Sequence, residues 1–253
     1  MSNIKKPILR IVRDIMELIN DPVDGIEIKM NKENIYNQTA MIVGPKDTPY
    51  FGGFYFFDIK FPTNYPNKPP TVFMKTIDGN VRFNPNLYEN GKVCLSILGT
   101  WSGPSWRSIM TLKTILISIQ SLMNDFPITN EPGYENTDRN SSLNIDYNCY
   151  ITYHNYRLAI IDTMSSKKNL RLEYKLFKKE IDKYINKNIA SLFNNLQSYK
   201  LIYGKDSINK IVYFLKNKND YDFIKLSKRF NRKFIKYLKK HKIIKNIENN
   251  NII

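Results

Sequence analysis

The chain of 253 residues contains two cysteines, two histidines and two tryptophans, and no apolar run approaches the roughly 18 residues of a membrane span. Each scarcity excludes something. Cys94 and Cys149 lie too far apart in a chain of this size to form a disulfide framework, and a working thiol requires a reducing compartment. His154 and His241 stand in no spacing with cysteine or carboxylate that fits a zinc site, so neither a metal nor another cofactor is expected. The opening MSNIKKPILRIVRD lacks an apolar core of signal-peptide length, because Arg10 and Arg13 interrupt it. The expectation is a soluble protein of cytoplasm and/or nucleus, of its own or a host cell, without membrane contact.

Acidic residues run short at one end only. Residues 1–162 hold 16 Lys+Arg against 16 Asp+Glu, whereas residues 163–253 hold 23 against 7, so the net charge of +16 lies in the last third. This asymmetry divides the chain into a core domain over 1–162 and a basic helical extension over 163–253. The extension could meet nucleic acid or another acidic partner, with steep salt dependence as the sign of it, or could simply present solvated lysine-rich helix faces.

Ile8, Ile11, Val12, Ile15 and Ile19 recur at helical spacing, which predicts an amphipathic helix over 5–20 that shows Lys6, Arg10, Arg13 and Glu17 to solvent and ends before Pro22 and Gly25. The period then changes to two. Ile26–Met30, Tyr36–Val43, Phe54–Phe61 and Thr71–Lys75 read as four strands of an antiparallel meander, separated by Gly44-Pro45, Gly52-Gly53 and the cluster Pro62, Pro66, Pro69 and Pro70. Downstream, Ile109, Leu112, Leu116, Ile119 and Met123 mark one buried helix, and Tyr147, Tyr150, Ile151, Leu158 and Ile161 mark another that carries Cys149 and His154. From Lys167, Tyr174, Phe177, Ile181, Ile185, Ile189 and Leu192 continue at helical spacing, with further Lys-rich stretches after Gly204 and a frayed end, IENNNII. Strands followed by helices define an α+β fold.

The stretch RFNPNLYENGKVCLSILGTWSGPSW, from Arg82 to Trp106, departs from these periods. Asn84-Pro85-Asn86 and Asn90-Gly91 form turns, and Val93 to Leu98 reads as a short apolar strand holding Cys94. A lone cysteine is more often packing than chemistry, but one set just after two turns sits where sites are carried.

This stretch resembles the active-site region of ubiquitin-conjugating enzymes, in which a His-Pro-Asn tripeptide places its Asn eight positions before the catalytic cysteine. Here Asn86 stands eight before Cys94, and Asn84 takes the place of His. The Asn-Pro-Asn version and the CLSILGTW run are similar to the large Z-type branch. VGPKDTPYFGGFYFF (Val43 to Phe57), FPTNYPNKPP (Phe61 to Pro70), ILISIQSLM (Ile115 to Met123) and NEPGYE (Asn130 to Glu135) follow in the family's order, over about the first two thirds of the chain.

The resemblance implies the UBC fold, with the partners of the family: ubiquitin or a ubiquitin-like protein, its activating enzyme, a ubiquitin ligase where one is used, and protein substrates. It implies that Cys94 accepts the modifier as a thioester and passes it to a substrate lysine. Asn86 would hold the loop or donate to the tetrahedral oxyanion, Glu131 would orient or deprotonate the lysine, and Asn84 and Pro85 would support the turn. The first helix would dock the activating enzyme and ligases through its exposed basic residues. Trp106-Arg107-Ser108-Ile109 replaces the Ser-Pro-Ala loop of many relatives, which leaves the choice of ligase open. Two other classes compete with this reading: an inactive ubiquitin-binding scaffold of the same fold, and a cysteine hydrolase that pairs Cys94 with His154.

Overall fold

The computed structural model describes residues 5–165, 171–203 and 221–240. Lys167, Gly204, His241 and the segment 247–253 lie outside the described residues. Helix α1 (Lys5–Asn20) leads into four strands, β1 (Ile26–Lys29), β2 (Asn37–Val43), β3 (Phe54–Lys60) and β4 (Thr71–Met74). They pair antiparallel in the order β1-β2-β3-β4, the meander expected from the period-two runs. Helix α2 (Leu112–Leu122) follows, then α3 (Ser142–His154), which continues as a π-helical segment over Asn155–Asp162, and then α4 (Arg171–Leu176), α5 (Lys178–Tyr203) and α6 (Phe223–Lys240).

The run FYFF in β3 is apolar at every position because both faces of the sheet are covered. On one face Tyr55 meets Phe83 edge-on at 5.1 Å and donates a hydrogen bond to Asn155 Oδ1 at 2.8 Å, anchoring the π-helical segment. On the other face Phe56 stacks on Phe177 at 5.9 Å and Phe54 meets Tyr184 at 5.8 Å. Lys29 pairs with Glu180 at 2.6 Å along the rim of that contact. Helix α5 therefore lies across the sheet, and α6 packs on α5 and on the π-helical segment, with Arg229 bonded to Asp162. Phe177→Ala removes a fully buried ring at this junction and is expected to cost about 3–5 kcal/mol. Urea unfolding of the full chain checks it.

Three sequence expectations are corrected here. The buried stripe of α1 runs through Ile11, Asp14, Ile15 and Leu18, whereas Ile19 is 48% exposed. Arg10 is not a free surface cation: it pairs with buried Asp14 at 2.7 Å and donates to the carbonyls of Ser108 (2.8 Å) and Met110 (2.7 Å). Ile109 is 83% exposed and precedes α2, whose first turn is set by a reciprocal Thr111–Thr114 capping box. The helix thus begins where its capping residues allow, not where the apolar period first shows.

Candidate active site

The spacing of eight between Asn86 and Cys94 corresponds to a small hairpin. Asn84 and Leu87 close a turn, Leu87 bridges Val93, and Asn90 Oδ1 accepts from Lys92 N at 3.0 Å to shape the tip. Gly91 adopts φ 87°, and a side chain there would meet the Met74 carbonyl at 2.5 Å, so the tip needs glycine both for its angle and for its approach to β4. Across the hairpin, Cys94 N donates to Asn86 O at 2.8 Å and Asn86 Nδ2 donates to Cys94 O at 2.8 Å. Two opposed bonds between the same two residues fix the backbone that carries the thiol. Asn86 is thereby engaged with the loop, the first of the two roles expected of it.

The strand expected over Val93–Leu98 is not formed. Only Val93 makes a bridge, and Ser96–Leu98 is a 3-10 turn that ends at Gly99 with φ 69°. Thr100 explains the change: its Oγ1 donates to Val93 O at 2.7 Å and accepts from Leu95 N at 3.0 Å, satisfying the groups that a strand partner would have taken.

Asn84 closes the turn by accepting from Asn86 N at 2.9 Å. Its Nδ2 donates to Leu122 O at 2.8 Å and to Tyr50 Oη at 3.0 Å, and its Oδ1 accepts from Asn130 Nδ2 at 3.4 Å. An uncharged amide suits this fully buried junction of turn, α2 and the Pro127–Asn130 3-10 turn. Pro85 contributes its carbonyl, which accepts from Arg82 Nη2.

Glu131 follows that 3-10 turn and is buried, with Oε2 paired to Arg82 Nη2 at 3.2 Å. The guanidinium of Arg82 also lies 4.0 Å from the centre of the Tyr88 ring, and the Tyr88 hydroxyl is near enough to the Cys94 thiol to favour its thiolate. Arg82 and Tyr88 were not singled out from the sequence. Tyr88 was findable, since it stands two positions after Asn86 on the same hairpin strand; the pairing of Arg82 with Glu131, 49 positions away, carried no local signal.

Cys94 is 1% exposed. Burial pushes its thiol above the ordinary range, while Lys92, Arg82 and the Tyr88 hydroxyl pull the other way without overcoming it. Because the thiolate is the nucleophile, any reaction at Cys94 is expected to accelerate about tenfold per pH unit through neutrality and to keep rising beyond the pH at which an ordinary thiol levels off. A pH profile of iodoacetamide alkylation at Cys94 in the native protein, with Cys149→Ser as background, measures this.

His154 does not serve Cys94. It sits among Tyr150, Tyr153 and Tyr221, accepts from Arg157 Nε at 3.1 Å, and is kept neutral chiefly by burial, which lowers its pKa to about 3. Cys149 is fully buried in α3. Among the described residues no group of three His, Cys, Asp or Glu side chains converges as a metal site, and no helix is long and apolar enough to cross a membrane.

An α+β domain with a meander sheet, a thiol clamped on a hairpin and an asparagine eight residues before it defines a protein class. The ubiquitin-conjugating enzyme family matches residues 10–148, and the chain belongs to that family. Within it the chain is similar to the Z type. It is 46% identical to ubiquitin-conjugating enzyme E2 Z of Xenopus tropicalis over 161 residues, 63% of this chain and 51% of that protein. The Homo sapiens E2 Z protein shows the same identity over 63% of this chain and 45% of its own length. Probable ubiquitin-conjugating enzyme E2 R521 of Acanthamoeba polyphaga mimivirus is 37% identical over 207 residues, 74% of this chain and 14% of that protein. The chain spans about half the length of the E2 Z relatives.

Proposed function

We propose that this chain accepts ubiquitin, or a ubiquitin-like protein, from an activating enzyme as a thioester on Cys94 and transfers it to a substrate lysine, alone or with a ligase. The observation that carries the reading is the reciprocal Asn86–Cys94 clamp at the family's spacing of eight. In loading, the Cys94 thiolate attacks the thioester carbonyl on the activating enzyme. A new C–S bond forms, the old one breaks, and the enzyme's thiolate leaves. In discharge, a neutral lysine nitrogen attacks the Cys94 thioester. A C–N bond forms, the C–S bond breaks, the amine proton passes to solvent or a nearby base, and the sulfur departs as thiolate to be reprotonated.

Discharge is the harder step, because a lysine with pKa near 10.4 is almost wholly protonated at neutrality. Glu131 supplies a carboxylate to orient the amine, held within the site by Arg82. With its Nδ2 on Cys94 O, Asn86 keeps the thioester-bearing backbone in place, so it acts as a positioning residue; an oxyanion contact would use the second hydrogen of the same amide.

The test is a charging assay with ATP, ubiquitin and, separately, each of the ubiquitin-activating enzymes, resolved on non-reducing gels. A thiol-labile band one ubiquitin heavier is expected. Absence of such a band with every loader, and with other ubiquitin-like proteins, would refute the reading.

A further inference from the structure

We infer that Arg82 is a positioning residue for lysine discharge: its guanidinium fixes the Glu131 carboxylate beside the hairpin that carries Cys94 and thereby confers selectivity for an amine that must be oriented and stripped of a proton. The inference rests on the proposed thioester chemistry. Arg82 holds three elements at once. One nitrogen, Nη2, donates both to Pro85 O and to Glu131 Oε2 at 3.2 Å, and the guanidinium lies 4.0 Å from the centre of the Tyr88 ring. The Tyr88 hydroxyl in turn is near enough to the Cys94 thiol to favour its thiolate. The side chains of Arg82 and Glu131 are 11% and 10% exposed, so the pair is shielded enough for its geometry to persist.

The chemistry follows from that placement. A carboxylate on a loop end beside Pro132 would ordinarily turn to water; here one oxygen is committed to Arg82, which fixes where the carboxylate can point. The planar guanidinium also stacks on the phenol, which a lysine ammonium at the same position could not reproduce. Arg82 has no bond to make or break in the reaction, so its effect on lysine passes through Glu131.

The experiment is a pulse-chase discharge of ubiquitin-loaded protein to free lysine and, in parallel, to hydroxylamine, an amine largely unprotonated at neutral pH that needs little orientation. Loading is completed before the chase, so differences in loading rate drop out. In Arg82→Lys the lysine rate is expected to fall about 10–100-fold, the loss typical of a displaced reacting group, while the hydroxylamine rate changes by less than about threefold. The lysine profile should also move to higher pH. Equal losses with both amines would reveal a merely structural role, and unchanged lysine discharge would show no role; either overturns the inference.

Arg82→Met alone leaves Glu131 buried without this partner and risks unfolding. The double variant Arg82→Met/Glu131→Gln removes both charges and is expected to discharge lysine no more slowly than Glu131→Gln alone. A further loss in the double variant would show that Arg82 does not act through Glu131, and would overturn the inference. A wild-type chain that takes up no modifier fails at the charging step, which is the failure of the proposed function and not of Arg82.

Discussion

Cys94→Ser is expected to replace the thiol-labile ubiquitin adduct with one that survives thiol but yields to base, and Cys94→Ala to give no adduct at all. The hairpin explains why the serine variant should still react. Both bonds between Asn86 and Cys94 run through the backbone of residue 94, so substitution of its side chain leaves the clamp in place. The hydroxyl then occupies the position of the thiol beside Tyr88, but as an alcohol it is far less ionised, and loading should slow by several orders of magnitude. The ester, once formed, accumulates because an oxygen leaving group departs poorly. Extended charging reactions on gels with and without thiol, followed by mass spectrometry of the adduct, check both outcomes. A thiol-labile adduct persisting in Cys94→Ala would move the chemistry to Cys149, which the fold buries completely in α3.

The second large effect concerns stability and lies far from the thiol in sequence. Asp14 is 1% exposed, yet it accepts from Arg10 Nε, the Tyr65 hydroxyl and Leu112 N. These contacts join α1 to the proline-rich loop after β3 and to the first turn of α2. Asp14→Ala strands a phenol and a backbone N–H in the interior and leaves the guanidinium of Arg10 without its carboxylate, at an expected cost of about 3–5 kcal/mol. Against a typical total stability of about 5–15 kcal/mol this brings the chain near its unfolding threshold. Arg10→Met/Asp14→Ala should recover part of the loss, since the uncompensated charge is gone and the Ser108 carbonyl that Arg10 served lies on the exposed side. Urea denaturation of the two variants against wild type gives both numbers; a loss below about 1 kcal/mol in Asp14→Ala would mean that water replaces these contacts.

The buried Asp14 also marks where sequence reading stopped. The first strand was legible because Ile26 and Ile28 alternate with Glu27 and Lys29, and the later ones because turn signals bound short apolar and aromatic runs. In β3 the alternation fails: the continuous run Phe54–Phe57 fits a sheet covered on both sides, whereas the sequence reading took it as one more period-two strand. The face of α1 was misplaced by one residue, Leu18 for Ile19, because isoleucine and leucine weigh alike in a periodicity count. Arg10 counted as a surface cation for a similar reason: nothing in its neighbourhood predicts carbonyls arriving from Ser108 and Met110, about a hundred positions on.

At the site, the turn, the thiol and the Asn86 spacing were local and therefore readable. Arg82 was passed over because its partner Glu131 comes from a loop that only the folded chain brings near. The strand expected after Cys94 gave way to a 3-10 turn because a single hydroxyl, that of Thr100, competes with the ladder for backbone groups.

The placement of α5 on the sheet has a thermodynamic consequence. Phe54 and Phe56 face Tyr184 and Phe177 of the same chain, so the outer sheet face is already occupied by a tethered competitor. A short tether gives such a segment an effective concentration on the order of millimolar. A free protein present at about one micromolar would therefore need roughly a thousandfold tighter intrinsic affinity for that face, about 4 kcal/mol, to displace α5 from half of the molecules. Molecules in which α5 has lifted off would be a small minority, and the sheet face would be open to outside partners only in those.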